Sequence, residues 1–504
     1  MLLDPWTVGV YGTACYLIYA VALVIYRFYY HPLAHIPGPT LAKGTYLFEW
    51  YYDLYLGGQL TFKLQELHEE YGPVIRINPD EVHIHDPDFF DEVYNQTNGR
   101  AVKPQRVAEV FGPYPAAMGT QTHELHHIRR SALNPLFSRR SVQNLVPTMR
   151  KSIDILCTRL YAACKSDETF NMKHMYAALT LDIINDFCFA MEPQSTAKSD
   201  FDRKWFDDLD TFLEFSLLSI HIPWVMSWGH SIPDSINKIL APAMADLLDF
   251  RQDISLLVEA IRHSRDKSHE KTRHNTVIHD LLQSKLPPPE LERDRLRDEV
   301  FSLVTAGSGT TAYVLRGTAY HISASPTIQT KLHQELQSAI PDPTNPPPLP
   351  DLEKLPYLCA VINEGLRLCD PAAHRTERQL PDKTLNCHGT VIPAGTMLGM
   401  TSFLTHRNEQ IYPDPLAFRP ERWLGNEGKR LDRYLVSFGR GPRACVGMNL
   451  ARAELVLILA AVFRRFYFDV KDVSRERDIE LSRDCIVAAQ AKDSPGILVK
   501  VRVA

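Results

Sequence analysis

The stretch Phe438-Gly439-Arg440-Gly441-Pro442-Arg443-Ala444-Cys445-Val446-Gly447 constrains this chain more than any other. It sets one cysteine between spaced glycines, with a phenylalanine ahead of it and an arginine two residues before it. A helix-like apolar run follows, from Met448 to Phe463. The positive end of that helix lowers the pKa of a cysteine at its start, and a metal lowers it further. Phe438 can cover the sulfur from water. Gly441 allows a sharp turn, and Gly447 lets the backbone lie flat against a macrocycle. Arg443 is placed to meet a propionate. The chemistry that suits this pattern is a thiolate held under a haem iron, where it pushes electron density onto the metal and favours O–O cleavage. The plainer alternative is a buried free cysteine at a helix start.

The other cysteines are scattered and form no CxxC pair, which argues against a disulfide framework or a zinc site and fits a reducing compartment. A net charge of −5 and a pI near 6.5 give no reason to expect a nucleic-acid partner. Val8 to Tyr26 carries no charged side chain and is long enough nearly to cross a bilayer core. A basic leader and a small-residue cleavage site, the marks of a secretory signal, are missing from it. Arg27 follows the span and favours a cytosolic body. We therefore read residues 1–27 as a membrane anchor and 28–39 as a stiff proline-rich hinge. Residues 40–504, with no long Gly/Ser linker, read as one catalytic domain. Helical apolar spacing dominates it, with short strands expected at Tyr71–Pro79 and within Thr384–Met400. The apolar run Ser216–Trp224 reads equally as core or as a segment dipping into a bilayer.

Four more stretches carry chemistry. Ala306-Gly307-Ser308-Gly309-Thr310-Thr311 lies inside a helical run from about Leu291 to His321. Each interior glycine is unfavourable by roughly 1 kcal/mol against alanine, which makes sense where a helix opens to water or faces a flat ligand. Ala306 and Thr310 share a helix face. Glu364 and Arg367 are three apart and can pair. Phe418-Arg419-Pro420-Glu421-Arg422-Trp423 follows some fifty residues later. His126-His127-Ile128-Arg129-Arg130 is a basic amphipathic stretch whose adjacent histidines cannot share one helix face. Arg375 follows the Glu364 helix.

The cysteine loop matches every fixed position of F-x-x-G-x-R-x-C-x-G, the signature of the cytochrome P-450 family of haem-thiolate monooxygenases. The chain resembles that family in motif order from end to end. The resemblance implies a mainly α fold with a minor β portion: a single large haem domain after an N-terminal transmembrane helix. It implies haem (heme b, iron protoporphyrin IX) with Cys445 as the axial thiolate and Phe438 and Gly447 against the cofactor. Arg130, Arg375 and Arg443 would hold the propionates by charge-assisted hydrogen bonds, with His126 standing where the family has tryptophan. Ala306 and Thr310 would face dioxygen, Thr310 supporting its protonation. Gly309 departs from the family, which has an acid there; Ser308 is then a second candidate for proton delivery. Glu364, Arg367 and Arg422 would form a buried network behind the cysteine loop. Phe111, Met118, Ser302, Thr305, Ala306, Ala372, Ala373, Ile486 and Val487 would line the substrate pocket.

Residues 31–94 look most like fungal members of secondary metabolism, of the trichodiene oxygenase type, which implies a small apolar, terpenoid-like substrate. The resemblance further implies a separate NADPH–cytochrome P-450 reductase as electron donor and the endoplasmic reticulum membrane as location, single-pass, with the catalytic domain in the cytosol. Two rivals differ in class: a reductase-independent haem-thiolate isomerase or peroxygenase, and a non-catalytic haem-binding protein.

Overall fold

A computed structural model describes residues 5–95, 100–111, 116–263 and 274–504. The chain forms two compact units: Met1–Pro104 with Arg375–Thr401, and Gln105–His374 with Ser402–Ala504. The sequence shows no such division, because the chain passes between the units at short connections rather than through a linker.

The first unit begins with helix α1 (Pro5–Tyr29). Within its span Trp6–Tyr29 the most apolar 18 residues have mean hydropathy 2.0, and it is the one helix among the described residues long and apolar enough to cross a membrane. The helix runs past the anchor boundary expected from sequence, and its end is tied down. Arg27 donates to the Gly44 carbonyl at 2.8 Å, and the fully buried Arg76 donates to the carbonyls of Arg27 at 2.9 Å and Pro79 at 2.7 Å. The proline segment read as a hinge is packed: Leu33 and Ile36 are buried, and the Pro37 carbonyl accepts from the Arg76 amide. Its apolar residues, invisible to a reading based on proline content, hold it in place. A four-stranded sheet follows. Val74–Asn78 and Glu81–Ile84 form an antiparallel pair, Met397–Gly399 joins parallel to the second, and Arg378–Gln379 completes the order.

The second unit is mainly helical. The helices that carry the site are α2 (His123–Leu133), α3 (Met172–Phe189), α4 (Arg203–His221), α5 (Arg293–Ala324), α6 (Pro356–Leu368) and α7 (Met448–Phe463). Helix α3 is buried on nearly every side, as an apolar helix inside a large core must be. It packs along α5, closely enough at Gly307 that a Cβ there would stand 3.1 Å from the Ile184 side chain. The Thr180 hydroxyl of α3 donates to the Ser308 carbonyl at 2.6 Å, locking the two helices in register. A three-stranded sheet and the small hairpin Arg483–Cys485/Val487–Ala489 complete the unit. The run at 216–224 divides. Ser216, Leu217, Ser219 and Ile220 are core, whereas Trp224 is 67% exposed at the start of the next helix, which Pro223 opens.

Candidate active site

The cysteine loop turns at Gly439 (φ +64°) and Gly441 (φ +71°), left-handed conformations that favour glycine. It closes when the Cys445 amide donates to the Phe438 carbonyl at 2.8 Å. Gly447 needs no special φ; a Cβ there would lie 3.9 Å from the Cys445 sulfur. The Cys445 side chain keeps an open surface although it lies deep within the unit. Burial pushes its thiol up, while the Gly447 amide and the charge of Arg130 pull the other way. With burial dominant, the ionised form calls for a metal partner. A lone thiol with an open face, an arginine acting on it and a helix start behind it fit the thiolate side of a haem.

Behind the loop, the Glu364 carboxylate is fully buried and takes five hydrogen bonds. Arg367 supplies two at 2.8 and 2.9 Å, Arg422 one at 3.1 Å, the Trp423 indole one at 2.8 Å, and the Arg419 amide one at 2.9 Å. Arg367 also donates to the His406 and Pro415 carbonyls, each at 2.7 Å. The network reaches the cysteine loop by two links absent from the sequence reading. The Ser437 hydroxyl donates to the Leu366 carbonyl at 2.8 Å, and the Val436 amide donates to His406 Nε2 at 3.0 Å.

That last bond requires an unprotonated Nε2, and burial holds the His406 imidazole below its ordinary range. His321, stacked on Phe418 at 4.6 Å, is pushed down to about 3 by burial. Below pH 6.5 the unfolded chain therefore binds protons that the folded chain refuses, so stability falls as pH falls. Thermal melts at pH 6.5 and pH 5 are expected to differ by up to about 2 kcal/mol for His321 alone, a loss that His321→Phe should reduce. Identical melts at the two pH values would overturn this.

A cavity of about 650 Å3 lies against α5 in the same unit. Ser302, Thr305, Ala306, Gly309 and Thr310 line it, as do Phe111, Met118, Ile486 and Val487. Ile486 holds φ +72° at the tip of its hairpin, an unusual conformation for a β-branched residue. Ala372 and Ala373, expected in the wall, lie outside it. The Pro371 carbonyl accepts from the Ala488 amide at 2.9 Å and turns the chain so that Pro371 faces the cavity, while Ala373 packs against Tyr313, Cys369 and Ala488. Sequence reading missed the apolar face of α4, where Phe206, Leu209, Phe212 and Leu213 form much of the wall. Their helical spacing was legible; the surface they face was not.

The Thr310 hydroxyl donates to the Ala306 carbonyl at 2.9 Å and lies in the cavity wall. Thr311 turns away and hydrogen-bonds the buried Glu454 of α7, whose carboxyl burial pushes up to about 8. Ser308, offered from sequence as a second proton donor, is fully buried outside the cavity wall, so it does not stand beside Thr310. Gly309 has open space where a side chain would begin.

The arginines separate by environment. Arg130 is half-buried, bonds Asn134 at 2.7 Å, and acts electrostatically on Cys445. Arg443 donates to the Thr120 and Gln121 carbonyls at 2.8 Å, bracing the cysteine loop against the approach to α2. His126 is buried on α2 beside Arg129, and Arg129 pairs with Glu290 at 2.7 Å. Arg375, expected from the family resemblance to meet a propionate, sits among carboxylates. It is fully buried within the first unit and pairs with Glu49, with Glu81 at 2.9 Å and with Glu377 at 3.5 Å, while Asp53 stands at 3.8 Å. Four carboxylates surround that cation, and its Nη1 is buried without a hydrogen-bond partner among the described residues. Arg378, three residues on, is buried with a carbonyl acceptor and the Tyr94 ring as its neighbours, and forms no ion pair among the described residues.

Comparison with known proteins extends the pattern over nearly the whole chain. The cytochrome P450 family profile matches residues 39–494. The chain is 40% identical to cytochrome P450 monooxygenase tpcC of Cochliobolus heterostrophus, over 96% of this chain and 95% of that protein. It is 36% identical to tryptophan 6-hydroxylase fscE of Fusarium equiseti, over 95% and 94%. It is 35% identical to N-acetyltryptophan 6-hydroxylase ivoC of Emericella nidulans, over 96% of each.

Proposed function

The chain belongs to the cytochrome P450 family and is a P450 monooxygenase of fungal secondary metabolism, and from that premise we propose that it inserts one atom of dioxygen into a small molecule with an apolar body, held in the cavity against α5. Cys445 is the ligand in this reading, and the observation that carries it is the open-faced thiol on a loop braced from behind by Glu364, Arg367 and Arg422. Haem b, when bound, supplies the activation of dioxygen. Arg130 and Arg443 would hold its propionates, Arg443 exchanging the Thr120 and Gln121 carbonyls for a carboxylate. Electrons come from a separate NADPH–cytochrome P-450 reductase, and α1 anchors the protein in the endoplasmic reticulum membrane with the body in the cytosol. The substrate's apolar part meets Phe111, Phe206, Phe212 and Ala306. The comparisons bring out no likeness to trichodiene oxygenases, so the terpenoid-like substrate rests on the sequence resemblance alone; the two relatives named for tryptophan and N-acetyltryptophan favour an aromatic one.

Proton delivery falls to Thr310 in this reading. A hydroxyl both donates and accepts, and with Gly309 in place of an acid no carboxylate stands on that turn. Thr311 is engaged with Glu454, and Ser308 lies outside the wall. Thr310→Ala is expected to uncouple the enzyme: NADPH consumption continues, peroxide rises, and product falls by about 100-fold. Thr311→Ala should change coupling far less. Equal coupling in wild type and Thr310→Ala would overturn the assignment. Peroxide-driven turnover matching the NADPH-driven rate, without reductase, would favour the peroxygenase reading instead.

A further inference from the structure

We propose that the substrate carries a carboxylate and that Arg316 receives it, two helical turns along the cavity wall from Gly309. The inference rests on the monooxygenase reading only for what happens at the other end of the molecule. On α5, Ser302, Thr305, Gly309, Tyr313 and Arg316 recur at three- and four-residue spacing and all line the cavity. Seven residues separate Gly309 from Arg316, about 10 Å along the axis at the helical rise. A ligand reaching from the Thr310 turn to the guanidinium thus spans roughly the length of an aromatic or short aliphatic acid.

Among the described residues, the charged groups lining this cavity are paired except two, Lys492 and Arg316. Lys173 pairs with Asp210 at 2.6 Å, and Arg483 with Glu214 at 2.7 Å. Asp298 is held by Arg297 at 2.7 Å, and Asp478 by Arg477 at 2.8 Å. Lys492 is exposed and solvated. Arg316 forms no ion pair among the described residues. It donates to the Gln490 side-chain oxygen, and its guanidinium lies 4.5 Å from the centre of the Tyr313 ring. Asp210 acts on it from a distance but is engaged with Lys173.

An arginine stays charged, and burial opposes that charge here. Arg316 is partly buried, and a partly desolvated cation without a counter-ion is destabilising. Its planar fork matches a carboxylate in two parallel hydrogen bonds. Gln490, also in the wall, accepts from Arg316 through its oxygen, which leaves its amide N–H2 as a further donor beside the guanidinium. The missing acid at Gly309 fits this arrangement, because a carboxylate there would repel an anionic ligand along the shared face.

The test uses the full-length, haem-loaded protein and a series of ω-phenylalkanoic acids of two to eight chain carbons, each beside its primary amide. Binding is read by optical difference spectrum and by equilibrium dialysis at pH 7.5. At least one acid is expected to bind about 10- to 100-fold more tightly than its amide, the range of a hydrogen bond to a charged group. Arg316→Gln should erase that preference, and Arg316→Lys should keep part of it. If no acid in the series binds more tightly than its amide, the proposal falls. A preference undiminished in Arg316→Gln would also overturn it. Preferential binding of an acid without NADPH-dependent oxidation of any probe would count against the monooxygenase reading and leave the anion site standing. Oxidation of amides with no acid preference would do the reverse.

Discussion

Replacing Cys445 by histidine is expected to leave a protein that keeps part of its haem but whose reduced carbon monoxide complex lacks the red-shifted Soret band, with turnover reduced to background. The reasoning starts from what shapes the loop. Its turns come from Gly439 and Gly441, and its closure is a backbone bond between the Cys445 amide and the Phe438 carbonyl. None of these uses the sulfur. Imidazole at the same place can therefore still meet a metal, but it lacks the negative charge that pushes electron density onto iron and favours O–O cleavage. The reduced, carbon monoxide-treated spectrum of wild type and variant is the measurement. A red-shifted band that survives the substitution would mean that another residue is the ligand.

Glu364→Ala is expected to lose most of the folded, haem-loaded protein. Its carboxylate sits between two arginines that are themselves buried, Arg367 at 0% and Arg422 at 3% exposure. Removing the acid leaves both cations without their counter-ion, and breaking a buried pair in this way costs about 3–5 kcal/mol. A native domain has only ~5–15 kcal/mol in reserve. The damage extends to the cysteine loop. Arg367 fixes the His406 carbonyl, the His406 ring accepts the Val436 amide, and Ser437 ties to Leu366 on the same helix. Haem content and melting temperature should fall together. A variant that melts like wild type with full haem content would show that the network is dispensable.

Sequence and structure agree most closely where chemistry depends on short spacing. Cys445 with its flanking glycines, the Ala306–Thr310 pair one turn apart, and the Glu364–Arg367 pair on α6 are each contained within a dozen residues. Backbone geometry over that range follows from residue type and helix period. The apolar span near the N-terminus was legible for the same reason, since hydropathy is read along the chain.

What the sequence alone determined, then, is the family, the mainly helical class and the loop that presents one thiol. Tertiary structure decided which charges are answered. Arg375 and Arg316 look alike in the chain: each is a basic residue just after or within a strongly patterned helix. Folding surrounds Arg375 with Glu49, Asp53, Glu81 and Glu377, three of them nearly three hundred or more positions distant, and gives Arg316 the Gln490 amide, the Tyr313 side chain and no ion pair among the described residues. In the same way, folding turned Thr311 to Glu454 and left Thr310 in the cavity wall. Buried electrostatics depends on which groups meet in three dimensions, and at those separations along the chain no local pattern records the meeting.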